Sequence, residues 1–175
     1  MTPDEAAREK LWGMIKKYRF AMMTTQEGSD TLRSRPMTTI ERDFDGSLWF
    51  FAKSDSAAAT TLDSHPQVCL SYSDSDAMDF VCVAGPAILV TEIAKKRELW
   101  KPAVQAWLPE GAESPQNVLV KVTPDHAEYW DSKSNKLVQL FTLAKALATG
   151  TPPRNIGEHR NVAMPGNVHT VNFTR

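Results

Sequence analysis

Pro36 sits inside Thr31-Leu32-Arg33-Ser34-Arg35-Pro36-Met37-Thr38-Thr39, a run that otherwise reads as a β-strand. Proline has no N–H to give a ladder, so a strand that contains it belongs at a sheet edge, a bulge or a kink. Side chains alternate along a strand, which turns Arg33 and Arg35 to one face and Leu32 and Ser34 to the other. Two guanidiniums beside a break in the ladder suit a phosphate in fork geometry, with nearby backbone N–H groups left to a ligand. Solvated arginines on an exposed strand are the alternative reading.

The remaining sequence supplies short strands around this one. Apolar runs at 20–25, 48–52, 67–72, 79–90, 118–122 and 126–130 read as strands. Turn residues such as Asp45-Gly46 and Pro124-Asp125 separate them. Gly85-Pro86 interrupts the longest run and predicts a bulge or a barrel corner. Helices are inserted between the strands. Thr2-Pro3-Asp4-Glu5 is a helix start, with Thr2 as cap, Pro3 at the first position and Glu5 completing a capping box; the helix runs to about Tyr18. An alanine-rich helix over 56–62 takes Ser54 or Asp55 as its cap, and 91–107 is helical with a break at Pro102. A further strand at 136–140 and a short helix at 141–149 closed by Gly150 follow. The pattern is that of one mainly β domain over 1–150, an antiparallel barrel with α insertions. Residues 151–175 lack periodic apolar content and read as a poorly ordered tail or an arm over another subunit.

Composition limits the partners. Lys+Arg 20 against Asp+Glu 21 leaves a net charge of -1, so no basic field recruits nucleic acid and an anion site must be local. No apolar run approaches membrane-spanning length and the first ten residues are polar, so a cytoplasmic protein is the expectation. Cys69 and Cys82 each lie in an apolar run without metal-ligand spacing and read as buried, reduced, inert thiols. The histidines at 65, 126, 159 and 169 have no ligand spacing, and His65, before a proline, suits a surface or capping role. Asp74 and Asp76 read as solvated turn carboxylates. Nucleophile-elbow, Walker, Rossmann and zincin motifs are all missing, so neither catalytic nor metal-binding residues are nominated.

One ordered set of segments is more specific. Arg35-Pro36-Met37, Leu48-Trp49-Phe50-Phe51, Asp55-Ser56, Glu98-Leu99-Trp100-Lys101-Pro102, Ala106-Trp107-Leu108-Pro109-Glu110-Gly111 and Glu128-Tyr129-Trp130-Asp131 occur in that sequence. The series resembles the flavin-binding split-barrel family related to pyridoxamine 5′-phosphate oxidase, and within it the bacterial general stress proteins. The resemblance implies a split β-barrel that binds FMN, or alternatively FAD or a deazaflavin, in a cleft of a homodimer. By that resemblance Arg35, Pro36, Met37 and Thr38 run along the flavin phosphate and ring. Phe50, Phe51 and Ala52 give the neighbouring strand, whose backbone lies beside the cofactor, and Ser56 contacts the phosphate. The family commonly carries a lysine where Ala58 stands, and its absence weakens the site or shifts the role to Arg33. Trp107 is the first choice among the tryptophans for a lid or partner-chain contact.

A flavin carries its own redox chemistry, so the protein needs only to bind, orient and tune it. The implied activity is an oxidoreductase reduced by NADH or NADPH. Residues 152–175 show no match to the substrate segment of pyridoxamine 5′-phosphate oxidase itself. A non-catalytic flavin-sequestering stress protein and a haem-binding relative of the same fold are the alternatives.

Overall fold

The computed structural model describes residues 2–40, 45–132 and 158–164. Helix α1 (Pro3–Tyr18) starts as its sequence dictates: the Thr2 hydroxyl accepts from the Glu5 N–H, and Glu5 returns a bond to the Thr2 N–H. Strands β1 (Phe20–Glu27), β2 (Thr31–Thr38) and β3 (Leu48–Lys53) follow, then the single-turn helix α2 (Ala57–Thr60). The chain continues through β4 (Gln67–Asp74), β5 (Asp79–Val90), α3 (Ile93–Leu99) and α4 (Pro102–Gln105). It ends with β6 (Asn117–Val122), β7 (His126–Asp131) and β8 (Glu158–Ala163). The strand and helix expected at 136–149 fall outside the described residues.

The strands form one antiparallel sheet in the order β2-β1-β4-β5-β6-β3, with β7 pairing β5 and β8 pairing β7. The sheet curls until its two ends meet. Just past β2, the Ile40 N–H donates to the Trp49 carbonyl at 2.9 Å, bringing β2 and β3 together without a ladder. The result is a barrel split along one seam. Pro36 lies in β2, an end strand, where its missing donor costs no ladder bond on the open side.

The barrel turns its corner at Gly85-Pro86. Residues Phe80–Ala84 of β5 pair with β7, whereas Ala87–Val90 pair with β6 on the same edge. Inside lies a core that includes Met23, Phe50, Leu70, Tyr72, Val81, Val83 and Val120, each at most 1% exposed. Leu11 and Ile15 of α1 press into it. A smaller cluster of Ile40, Trp49, Leu99 and Leu119 packs α3 onto the outside of β3.

The stretch 158–164 departs from the expectation for the tail. Glu158–Ala163 forms β8 beside β7, and Val162 and Met164 enter the core. Its sequence, Glu-His-Arg-Asn-Val-Ala, carries little strand signal. Tertiary contacts supply what propensity lacks: Lys10 of α1 bridges Asp131 and Glu158, and the Tyr129 hydroxyl donates to Glu158 at 3.2 Å.

Candidate functional site

The register of β1 against β2 sets the arginines. Arg33 stands opposite Thr25, Arg35 opposite Met23, and Thr31 opposite Glu27. Directly opposed residues share a sheet face, so Thr25, Glu27, Arg33 and Arg35 lie together. The Glu27 carboxylate takes both cations, Arg33 Nε at 3.2 Å and Arg35 Nη2 in a close pair. Arg35 Nη1 also donates to the hydroxyl of buried Thr25 at 2.7 Å. Two guanidiniums thus converge on a point where an anionic group, the chain's own carboxylate, already sits, and the Thr25 hydroxyl holds one of them from the side. Arg35 is only 20% exposed and held by both Glu27 and Thr25; Arg33, paired to Glu27 as well, is 60% exposed.

Alternation divides the other nominated residues between the two sides of the wall. Met37, opposite Ala21, shares the arginines' face and packs on the core. Pro36 and Thr38, opposite Met22 and Phe20, are on the outer face. In β3, Phe50 and Ala52 belong to the main core. Phe51 faces the smaller cluster, where its ring meets Trp100 edge-on at 5.0 Å. A ligand therefore cannot lie on Phe50 and Phe51 at once. What these residues share is backbone at the seam, where β2 and β3 each face away from their ladder partner.

Ser56 is the N-cap of α2, a place that the sequence reading gave to Ser54 or Asp55. Its hydroxyl accepts from the Ala59 N–H at 3.2 Å and donates to the Lys53 carbonyl at 2.6 Å. Ala58 is 2% exposed, so a lysine there could not reach solvent without disturbing the packing. Trp107 is 84% exposed, beyond α4. The loop after it is tied to β3 by a Lys53–Glu110 ion pair, which holds the Glu110 carboxyl below the usual range. A shallow groove lined by Arg97, Trp100, Glu110, Gly111, Ala112 and Glu113 contains none of the nominated residues. Glu27 is the residue that sequence reasoning missed. The apolar run ends the strand at 25, whereas β1 continues to Glu27.

Several other polar groups pair or stack with their neighbours. His126 pairs with Asp125 and His159 stacks on Trp130 at 4.8 Å. Asp74 is not simply solvated: Lys17 lies 3.2 Å from it, and it accepts the N–H groups of Asp76 and Ala77. Among the described residues no group of three or more metal-ligating side chains occurs, and no helix is long and apolar enough to cross a membrane.

The sequence profile described as "Pyridoxamine 5′-phosphate oxidase like" matches residues 6–154. The chain belongs to this family. Its fold matches a general stress protein 26 from Jannaschia sp. with a TM-score of 0.71, 23% identity, and coverage of 91% of this chain and 99% of the other. The general stress FMN/FAD binding protein of Xanthomonas citri is 31% identical with a TM-score of 0.66, over 75% of this chain and 92% of that one. Protein bli-3 of Neurospora crassa is 27% identical over 144 residues, 77% of this chain and 69% of its own length. The split barrel expected from the ordered segments is therefore the fold of this family member, and the Arg33–Arg35 pair stands on its open edge strand.

Proposed function

We propose that the protein binds a flavin nucleotide, FMN in the first instance and FAD as the alternative, at the seam between β2 and β3. One observation carries this reading. Arg33 and Arg35 converge on a single acidic group, the Glu27 carboxylate, while Arg35 is steadied by donating to the Thr25 hydroxyl, so the guanidinium pair suits an anion such as a phosphate. Family membership and the FMN/FAD binding protein of Xanthomonas citri support the choice of a flavin. Arg35 holds the phosphate, Arg33 adds a second guanidinium, and Ser56 fixes the start of α2 beside β3. The backbone of Pro36, Met37, Thr38, Phe50, Phe51 and Ala52 borders the ring. The flavin supplies electron and hydride transfer when bound, with NADH or NADPH as reductant. A homodimer completes the cleft: Phe20, Met22 and Leu32 leave an apolar outer face on β1–β2, 65%, 43% and 72% exposed. Trp107 reaches toward the second chain.

Titration of apo-protein with FMN, followed by flavin fluorescence, tests the site. Arg35→Ala is expected to weaken binding roughly ten- to a hundredfold, the loss of a contact worth about 1.5–3 kcal/mol. Unchanged affinity with a lowered melting temperature would make Arg35 structural. Oxidation of NADH or NADPH by the loaded protein separates an oxidoreductase from a flavin-sequestering protein, and absorbance after loading separates flavin from haem. Sedimentation reads the dimer.

A further inference from the structure

The cysteines are not the isolated buried thiols that their sequence context implies. Cys69 stands opposite Ala84 and Cys82 opposite Ser71, so the two are diagonal neighbours on β4 and β5. Both point away from the core, on the face opposite to buried Leu70, Tyr72, Val81 and Val83. Both are half-buried, and their sulfurs are 3.4 Å apart. The sulfurs are in van der Waals contact, and because diagonal neighbours stand about 7–8 Å apart at Cα, closing to a bond of about 2 Å takes a local shift of the two strands together with side-chain rotation.

We propose that Cys69 and Cys82 are a redox-active dithiol that a hydroperoxide oxidises to an intrachain disulfide. The surroundings divide the roles. The hydrogen bond between the two sulfurs, helped by the Ser71 hydroxyl, holds Cys69 below the ordinary thiol value, and the Glu128 carboxylate across from Cys82 places the thiolate on Cys69. Cys82 is pushed up by that same bond, by burial and by the negative charges of Cys69 and Glu128. Glu128 stands opposite Cys82 across β5–β7, which keeps negative charge on the far sulfur.

The Cys69 thiolate attacks one peroxide oxygen. An S–O bond forms, the O–O bond breaks, and the leaving hydroxide or alkoxide takes up a proton. The Cys82 sulfur then attacks the Cys69 sulfenic acid: the S–S bond forms, the S–O bond breaks, and the hydroxyl leaves as water with the Cys82 proton. With hydrogen peroxide, two thiols lose two electrons and the peroxide becomes two waters.

The whole reduced protein is treated with hydrogen peroxide and mapped under non-reducing conditions. The expected result is the loss of two hydrogen masses, a peptide linking Cys69 to Cys82, recovery with dithiothreitol, and a melting temperature raised by several degrees. Cys82→Ser should accumulate a dimedone-reactive sulfenic acid at Cys69. Cys69→Ser should react about tenfold more slowly or less, because the thiolate is lost. Two free thiols surviving the treatment, cross-links only between chains, or equal reactivity of the single variants would overturn the proposal. Mapping of the unsubstituted protein decides even if a variant folds poorly.

Discussion

A β-carbon placed on Gly85 would stand 2.1 Å from the carbonyl oxygen of Thr123 and 3.0 Å from the amide nitrogen of Asp125. Both are backbone atoms, so no side-chain rotation relieves the clash. The flanking bonds, Thr123 N–H to Pro86 and Asp125 N–H to Ala84, hold the two strands at this distance. Gly85→Ala should therefore cost roughly 3 kcal/mol of stability, measured by urea unfolding. A loss of only a few tenths would show that the corner can open.

Lys96 offers a second test of the frame. It is 1% exposed, and its ammonium donates to the carbonyls of Ser114 at 2.8 Å and Asn117 at 2.9 Å. This lysine fastens the loop between α4 and β6 from below. Lys96→Met keeps the length but removes two charge-assisted bonds, the Ser114 carbonyl keeping the Asn117 N–H, and should cost about 3 kcal/mol. Hydrogen exchange across 109–117 should quicken more than in β4; uniform change would mean that the loop has other anchors.

Alkaline pH should destabilise the protein. Burial holds the Tyr72 phenol well above its ordinary value, and burial together with Asp79 does the same for Tyr18. A raised folded pKa means that the unfolded chain gives up its protons first. The contribution is complete below the ordinary phenol value and is lost as pH rises beyond it. For buried Tyr72 the expected slope is about 1.4 kcal/mol per pH unit above pH ~10. Unfolding at pH 9 to 11 should show it, and Tyr72→Phe should flatten it while leaving Thr39, bonded to that phenol at 2.8 Å, without its partner.

Ala58 separates two readings of one position. The family resemblance puts a phosphate-binding lysine there; the structure puts a buried methyl there. Ala58→Lys should lower the melting temperature and cost at least about 2 kcal/mol. Tighter FMN binding without loss of stability would show that α2 can rotate outward to present the side chain.

Much of the frame was legible because its signals are local. The capping box of α1 and the break at Gly85-Pro86 each depend on a few adjacent residues. Alternation alone put Arg33 and Arg35 on one face. Register is different, since it is fixed by pairing between distant segments. That is why the contact of Cys69 with Cys82 was invisible, and why Glu27, two residues past the expected end of its strand, escaped notice. Ser54, Asp55 and Ser56 are all competent caps, and only the actual turn selects Ser56. In β8 the strand is imposed from outside, by β7 and by Lys10.

The seam carries a consequence for life in a crowded solution. An open sheet edge invites other chains to add a strand, and long flat edges seed aggregates. Here the two edges at the seam, β2 and β3, bend toward each other, joined at Ile40 and Trp49, and β2 contains Pro36. At this seam a neighbouring polypeptide finds neither a straight edge nor, on β2, a full row of donors. A small molecule needs only a few of them. The same bend thus turns away a strand while leaving the edge within reach of a small ligand.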